Sequence, residues 1–362
     1  MIRLIKPDIA FSDVEDDFKT ILESGILTRG SYVSRFAKAM CDYTGAEYCH
    51  FATSATTALS MCLKVIGIKP GDKVLVSDFS FPASVNVIED LYAHPVFVDV
   101  DSDTFNMRPD DLEKKITKDT RAVIFVDLAG NPGGIHEIKS ILEKHGVPLI
   151  EDAACAIGSS ENNIKCGNIA DLSCFSFHPR KLLTTGEGGA ILTNNVEYKE
   201  ILDVKLAHGA VFNKGKFDFI DYGYNYRLPE LQAAMGIKQL MKLDEIISIR
   251  QKIAERYAEE LGKFGFVEQK IAKNVIHNIQ SVVFKVPDTI KRDELVRYLK
   301  ERDIETTIGT YCLSDCTYYR QKYNNIQPVA KKLFDTTITL PCFAGLDLEP
   351  VIENIKNFFE RG

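Results

Sequence analysis

A single lysine, Lys181, stands between the strand-like run FSFHPR (175–180) and the glycine-rich stretch LLTTGEGGAI (182–191). An amine withdrawn from water at the end of a buried strand loses its proton more easily. It can then act as a nucleophile or a covalent anchor. Most lysines are plain surface groups, so Lys181 alone decides nothing. Ser176 and His178 alternate along the same extended segment and would share one face. Three other stretches offer complementary chemistry. TSATTAL (53–59) opens a helix with Ser54, Ala55 and Thr56. Their free backbone N–H groups could cradle an anion, or Ser54 or Thr56 could simply cap the helix. IEDAACAIG (150–158) sets Glu151 and Asp152 after a buried-looking strand, as a helix cap or as the counter-ion of a positively charged ring nitrogen. SDFSFPAS (77–84) sets Phe79 and Phe81 before a proline, as core side chains or as a face for a planar heterocycle.

Taken together, these stretches supply an amine, a carboxylate, an aromatic face and an anion cradle. Those are the parts that pyridoxal 5′-phosphate (PLP) requires. The chain has no GxGxxG after a first strand and no GxxxxGK[ST], which disfavours dinucleotide and nucleoside triphosphate chemistry.

The elements that must position these groups alternate in type. DKVLVSDF (72–79), HPVFVDV (94–100), RAVIFVDL (121–128), VPLIEDAA (147–154) and LSCFSF (172–177) read as strands, several apolar on both faces. TTALSMCLKVIG (56–67), SVNVIEDLYA (84–93) and GIHEIKSILEKHG (134–146) read as helices, the first and last ending at a glycine. This alternation predicts an α/β fold with a mostly parallel sheet between helices, whose ligands sit at the carboxyl ends of the strands. A long helix is expected from Pro229 to about Gly262. VIHNIQSVVFKV (275–286) then reads as one strand, and RDELVRYLKERD (292–303) and LEPVIENIKNFFE (348–360) as helices. The division implied is a large cofactor-binding domain over residues 1–240 and a smaller α+β domain over 241–362.

Composition narrows the partners. A net charge of −7 gives no basic field for nucleic acid or anionic lipid. No apolar run approaches a membrane span, and the first residues do not read as a signal peptide. Nine cysteines without framework spacing read as reduced thiols, which points to the cytoplasm. Cys312 and Cys316 lack a second Cys/His pair, so no metal site is expected.

The motifs EDAA, FSFHPRK, TGEGG and GYNYR, in this order, resemble the DegT/DnrJ/EryC1/StrS group of sugar aminotransferases, within PLP fold type I. The likeness starts at SGILTRGSYVSRF (24–36) and runs to LPCFAGL (340–346). It implies a role for each residue. Lys181 would hold PLP covalently and move the proton of the amino donor's Cα. Asp152 would pair with the ring nitrogen, and Phe81 would cover one ring face. The backbone amides of Ala55 and Thr56, with Ser176, would bind the phosphate. Asn225 of GYNYR would reach the phosphate of the other subunit, which requires a homodimer with shared sites. The resemblance further implies L-glutamate as donor and a keto-sugar as acceptor. The form of HPRKLLTTGEGG favours a nucleotide-linked 4-keto-6-deoxy sugar. His178, Arg180 and Tyr311 are the expected substrate contacts. A PLP-binding regulatory protein and a sugar dehydratase of the same family are the alternatives. The dehydratases carry histidine where this chain has Lys181. Ala55 replaces the common glycine, Cys155 replaces glutamine or histidine beside the cofactor's phenolic oxygen, and Ala37 replaces a frequent glutamate. TIGTYCLSDCTYYR (307–320) lacks the usual histidine and prolines.

Overall fold

The computed structural model describes residues 1–360. Its centre is a seven-stranded sheet of β1 (Tyr48–Ala52), β2 (Lys73–Ser77), β3 (His94–Val98), β4 (Thr120–Val126), β5 (Leu149–Asp152), β6 (Leu172–Ser176) and β7 (Gly189–Thr193). The spatial order is β1-β7-β6-β5-β4-β2-β3. The pairs β3–β2, β2–β4, β4–β5 and β5–β6 are parallel. β7 runs antiparallel to both β6 and β1. The five strands expected from sequence are all present. β1 and β7 extend the sheet beyond them, and β7 alone reverses direction.

The apolar runs follow from burial on both faces. In β2, Val74 and Val76 join the hydrophobic cluster on one side of the sheet, and Leu75 joins the cluster on the other. Each fully buried aliphatic side chain contributes about 1.5–3 kcal/mol. Helices α1 (Ala55–Ile66) and α2 (Ala83–Asp90) cover the first face, and α3 (Ile135–His145) covers the second. The helix ends behave as their sequence signals predict. Gly67, which follows α1, closes it at φ +87°, a left-handed position that favours glycine.

The long helix α4 (Glu230–Leu261) begins directly after Pro229. Beyond it, β8 (Val282–Lys285) and β9 (Thr337–Leu340) form the centre of a four-stranded antiparallel sheet. A separate hydrophobic cluster, from Tyr257 to Ile355, packs against that sheet. The stretch 275–286 is not the single strand expected. Val275–Ile276 pairs with Ser160–Glu161 in a different sheet, and β8 starts only at Val282. Between them Ile279 turns the chain at φ +53°. The polar residues His277, Asn278 and Gln280, all buried, interrupt the apolar pattern there.

One segment from the C-terminal part returns to the central sheet. Tyr311–Cys312 pairs with Phe79–Ser80, just past β2. Asp78 secures this return. It accepts hydrogen bonds from the Ser314 N–H (2.7 Å), the Ser314 hydroxyl (2.7 Å) and the Cys312 thiol (3.2 Å). Burial outweighs these bonds and pushes the Asp78 carboxyl up to about 7. An unfolded aspartate titrates near about 4. Between those values the folded chain holds a proton that the unfolded chain has lost. The group's contribution to stability therefore falls as pH rises through that window. Asp78→Asn, neutral at every pH, should gain on the natural protein by roughly 1–3 kcal/mol between about pH 5 and about pH 8. Urea unfolding at both pH values checks this; a difference that does not change with pH would refute it.

Candidate active site

The carboxyl edge of the sheet gathers the predicted groups. Asp152 is the last residue of β5 and Ser176 the last of β6. Successive residues of a strand face opposite ways. This puts the two carboxylates on opposite faces of the sheet. Glu151 points to the far face and accepts from the Ser173 hydroxyl (2.5 Å) and the Gly167 N–H (2.8 Å). Asp152 points toward Lys181. Strand alternation does not separate the phenylalanines, which are two residues apart; the extended pairing ends at Ser80, so Phe81 lies outside it. Phe79 is fully buried, edge-on to Phe105, whereas Phe81 is 64% exposed.

Asp152 itself is buried. Its Oδ2 accepts from the Ser84 hydroxyl at 2.7 Å, and its Oδ1 accepts from the Ala154 N–H at 3.3 Å. Burial raises its pKa; the Ser84 hydrogen bond and the positive charge of Lys181 oppose that rise. Lys181 lies on a loop fastened at its base. The Phe177 N–H bonds Gly188 O (2.9 Å), and Phe177 O accepts from Thr185 N (3.0 Å) and the Thr184 hydroxyl (2.9 Å). The Phe177 ring is fully buried 5.4 Å from Phe36. From this anchor the Lys181 amine reaches the Cys155 thiol at 3.0 Å.

The start of α1 carries a side-chain cap. Ser54 accepts from Thr57 N at 3.2 Å, so the capping reading of TSATTAL is observed. The amides of Ala55 and Thr56, one residue further on, fall in the first turn, where no intrahelical partner exists. β7 begins hard against this turn. A Cβ on Gly189 would lie 2.5 Å from the Ser54 carbonyl carbon and 2.7 Å from Ala55 N. Only glycine allows that approach.

The other predicted residues fall at different depths. His178 is half-buried and accepts from Arg180 N at 3.2 Å; the Arg180 side chain is exposed. Tyr311 lies edge-on to Phe81, 6.2 Å between ring centres, so the two aromatics flank one mouth. Asn225 is exposed, and among the described residues its side chain has no hydrogen-bond partner. Sequence reasoning missed Ser84, Asn278 and Gln280. The polar run HNIQ inside an apolar stretch was the available signal for the last two. It also missed the fully buried group of Asp127, Glu151 and Cys166, whose ligand atoms lie within 4.8 Å of one another. Burial pushes both carboxyls up, and the neighbouring Glu151 charge raises Asp127 further.

A model of the DegT/DnrJ/EryC1/StrS aminotransferase family matches residues 10–358. The chain belongs to this family. It is a PLP-dependent sugar aminotransferase. It is 33% identical over 362 residues to the GDP-perosamine synthase of Escherichia coli O157:H7, covering 99% of this chain and 98% of that protein. It is 32% identical to the UDP-4-amino-4,6-dideoxy-N-acetyl-beta-L-altrosamine transaminase of Campylobacter jejuni serotype O:23/36, covering 96% and 94%. The crystal structure of the aminotransferase TlmJ from Streptoalloteichus hindustanus superposes with a TM-score of 0.94 at 27% identity, covering 100% and 99% of the two chains.

The residues fit the family's cofactor. A buried carboxylate whose main stabilising influences are one hydroxyl and one lysine suits a cationic ring nitrogen, whose charge would settle it as an anion. The unpartnered first-turn amides of α1 suit a phosphate. Cys155 keeps a polar atom beside the lysine, although it has neither the reach nor the hydrogen-bonding strength of glutamine or histidine.

Proposed function

We propose that the enzyme moves an amino group from L-glutamate to the ketone of a nucleotide-linked 4-keto-6-deoxy sugar. The observation that carries the catalytic part is the buried Asp152 within electrostatic reach of Lys181, whose amine meets the Cys155 thiol. The substrate class rests on the relatives, whose names specify GDP- and UDP-linked 4-amino sugars. When bound, PLP supplies an electron sink for negative charge on the donor's Cα. Lys181 would anchor it and, once free, take the proton from that Cα as general base. Asp152 would hold a positive charge opposite its carboxylate. Ser176 and the Ala55 and Thr56 amides would hold the phosphate, and Phe81 would cover the ring. Cys155 would lie next to the anchor. His178, Arg180 and Tyr311 would meet the substrate from the open side.

This reading includes a two-domain division at about residue 240 and a cytoplasmic location, which suits nine free cysteines. Fractionation against a cytoplasmic marker checks the location. Among the described residues no helix is long and apolar enough to cross a membrane. The reading also includes a homodimer. The hairpin Ala210–Asn213/Lys216–Phe219 exposes Phe212, Phe217 and Phe219, and Ile220 and Tyr222 follow, all at least 60% exposed. Such a patch marks an interaction surface, and Asn225 lies directly after it in the chain.

The substrate test is incubation with L-glutamate and candidate keto-sugar nucleotides, followed by mass spectrometry. The expected product carries an amine in place of the ketone; no amination of any 4-keto sugar nucleotide would refute the substrate class. Site sharing has its own test. A heterodimer of Lys181→Ala and Asn225→Ala subunits should keep one intact site and regain activity that neither parent dimer shows. Verified heterodimers as inactive as their parents would exclude a role for Asn225 across the interface.

A further inference from the structure

The Gln280 side chain is 3% exposed and ends beneath the Lys181 loop. Its Nε2 donates to the Arg180 carbonyl at 2.7 Å, and its Oε1 accepts from the Leu182 N–H at 3.0 Å. Those two groups belong to the two peptide units joined at the Lys181 Cα. One carboxamide therefore holds the lysine's backbone on both sides. The task needs a donor and an acceptor in one planar group, which a carboxamide provides at every pH, and Gln has a longer reach than Asn.

Gln280 is itself held from behind. Arg250, buried on α4, donates Nε to Ile279 O (2.7 Å), Nη2 to Gln280 O (2.7 Å) and Nη1 to Cys342 O. Three backbone acceptors thus satisfy one buried guanidinium. The turn they stabilise is costly. Ile279 is β-branched and sits at φ +53°, a left-handed conformation that such residues rarely adopt. The adjacent Asn278, fully buried, donates to Cys155 O (2.9 Å) and Ile157 O (2.8 Å) and accepts from Gln280 N (2.9 Å). The same short turn therefore grips the backbone of Lys181 and the backbone of Cys155, whose thiol meets the Lys181 amine.

We infer that Gln280 is a positioning residue for Lys181, fixing the lysine's backbone so that its amine returns to one place each time it is released. The inference rests on the proposed role of Lys181. An amine that alternates between anchoring a cofactor and moving a proton must swing by its side chain alone. A shift of about 1 Å at its Cα can cost on the order of 10²-fold in rate.

The test uses the purified holoenzyme. Gln280→Met keeps the volume and removes both hydrogen bonds. Its expected phenotype is full cofactor occupancy, a kcat lowered roughly 30- to 100-fold and a glutamate KM within about threefold of the natural protein. Its visible absorption band should also titrate at a shifted pH. Gln280→Glu is the second variant and decides the matter if the first does not fold. Ionised, it loses the donor to Arg180 O; protonated, it regains a donor and an acceptor together. The charged or titratable groups around this position are Arg250, Lys181, Arg180 and His277, the last held neutral by burial that lowers it to about 4. The kcat of Gln280→Glu relative to the natural enzyme should therefore rise as pH falls, which a merely structural role would not produce. Loaded Gln280→Met with kcat within about threefold and an unshifted absorption titration, or Gln280→Glu with a pH-independent deficit, overturns the inference. Its failure is separable from failure of the underlying reading, which only retained activity in Lys181→Ala would show.

Discussion

Lys181→Ala is expected to lower glutamate-dependent amination by roughly 10⁴-fold or more, since it would remove the proposed covalent anchor and general base together. The variant should fold normally. The Lys181 side chain makes one hydrogen bond, to the Cys155 thiol, and the loop is held by Phe177, Thr184 and Gln280 instead. No neighbour is placed to substitute. Arg180 is exposed, and the His178 Nδ1 already accepts from Arg180 N. Two measurements check the result. Steady-state turnover gives the loss. Borohydride treatment of the natural holoenzyme should fix the cofactor permanently to a peptide containing Lys181, and the variant should release it on denaturation. Full turnover in the variant would remove Lys181 from the chemistry.

The candidate anchor was legible in the sequence because several weak signals coincide at strand ends. Lys181, Asp152, Phe81 and the α1 start each had an ordinary explanation, and an α/β alternation brings all of them to one edge. The choice between Glu151 and Asp152 needed the phase of β5, since neighbours in a strand face opposite sides, and the choice between Phe79 and Phe81 needed the point where the extended pairing ends, at Ser80. When both faces of a sheet are buried, hydrophobicity does not reveal that phase. The break at Ile279 was hidden for a related reason. VIHNIQSVVFKV has the composition of one strand, and only tertiary contacts from Arg250 and to the Lys181 loop explain why polar side chains are buried in its middle. Contacts between residues a hundred positions apart leave no local pattern. The antiparallel β7 was missed because its short run GAILT follows a glycine loop that reads as cofactor space.

Asp152→Asn should keep the cofactor and the fold yet lose turnover on the order of 10³-fold. Asparagine has the shape of aspartate, and its oxygen can still accept from the Ser84 hydroxyl that bonds Asp152 at 2.7 Å. What it lacks is charge. A carboxylate at 5% exposure has given up most of its hydration, which favours its protonated form unless positive charge is close. Lys181 supplies part of that charge in the unliganded site, and Ser84 adds a hydrogen bond to the ionised form. A cationic ring nitrogen at hydrogen-bond distance would complete the compensation, and in return the carboxylate would keep that nitrogen protonated. The neutral amide cannot. The loss should therefore appear in kcat, because negative charge develops only as the Cα proton leaves; glutamate KM should change little. Ser84→Ala offers a graded companion. It removes one hydrogen bond to the carboxylate and leaves its charge, so its deficit should be about tenfold. Stopped-flow measurement of the glutamate half-reaction, with occupancy fixed by the cofactor's absorbance, separates the two variants. Asp152→Asn turning over at the natural rate at full occupancy would show that the ring's protonation is held by some other group.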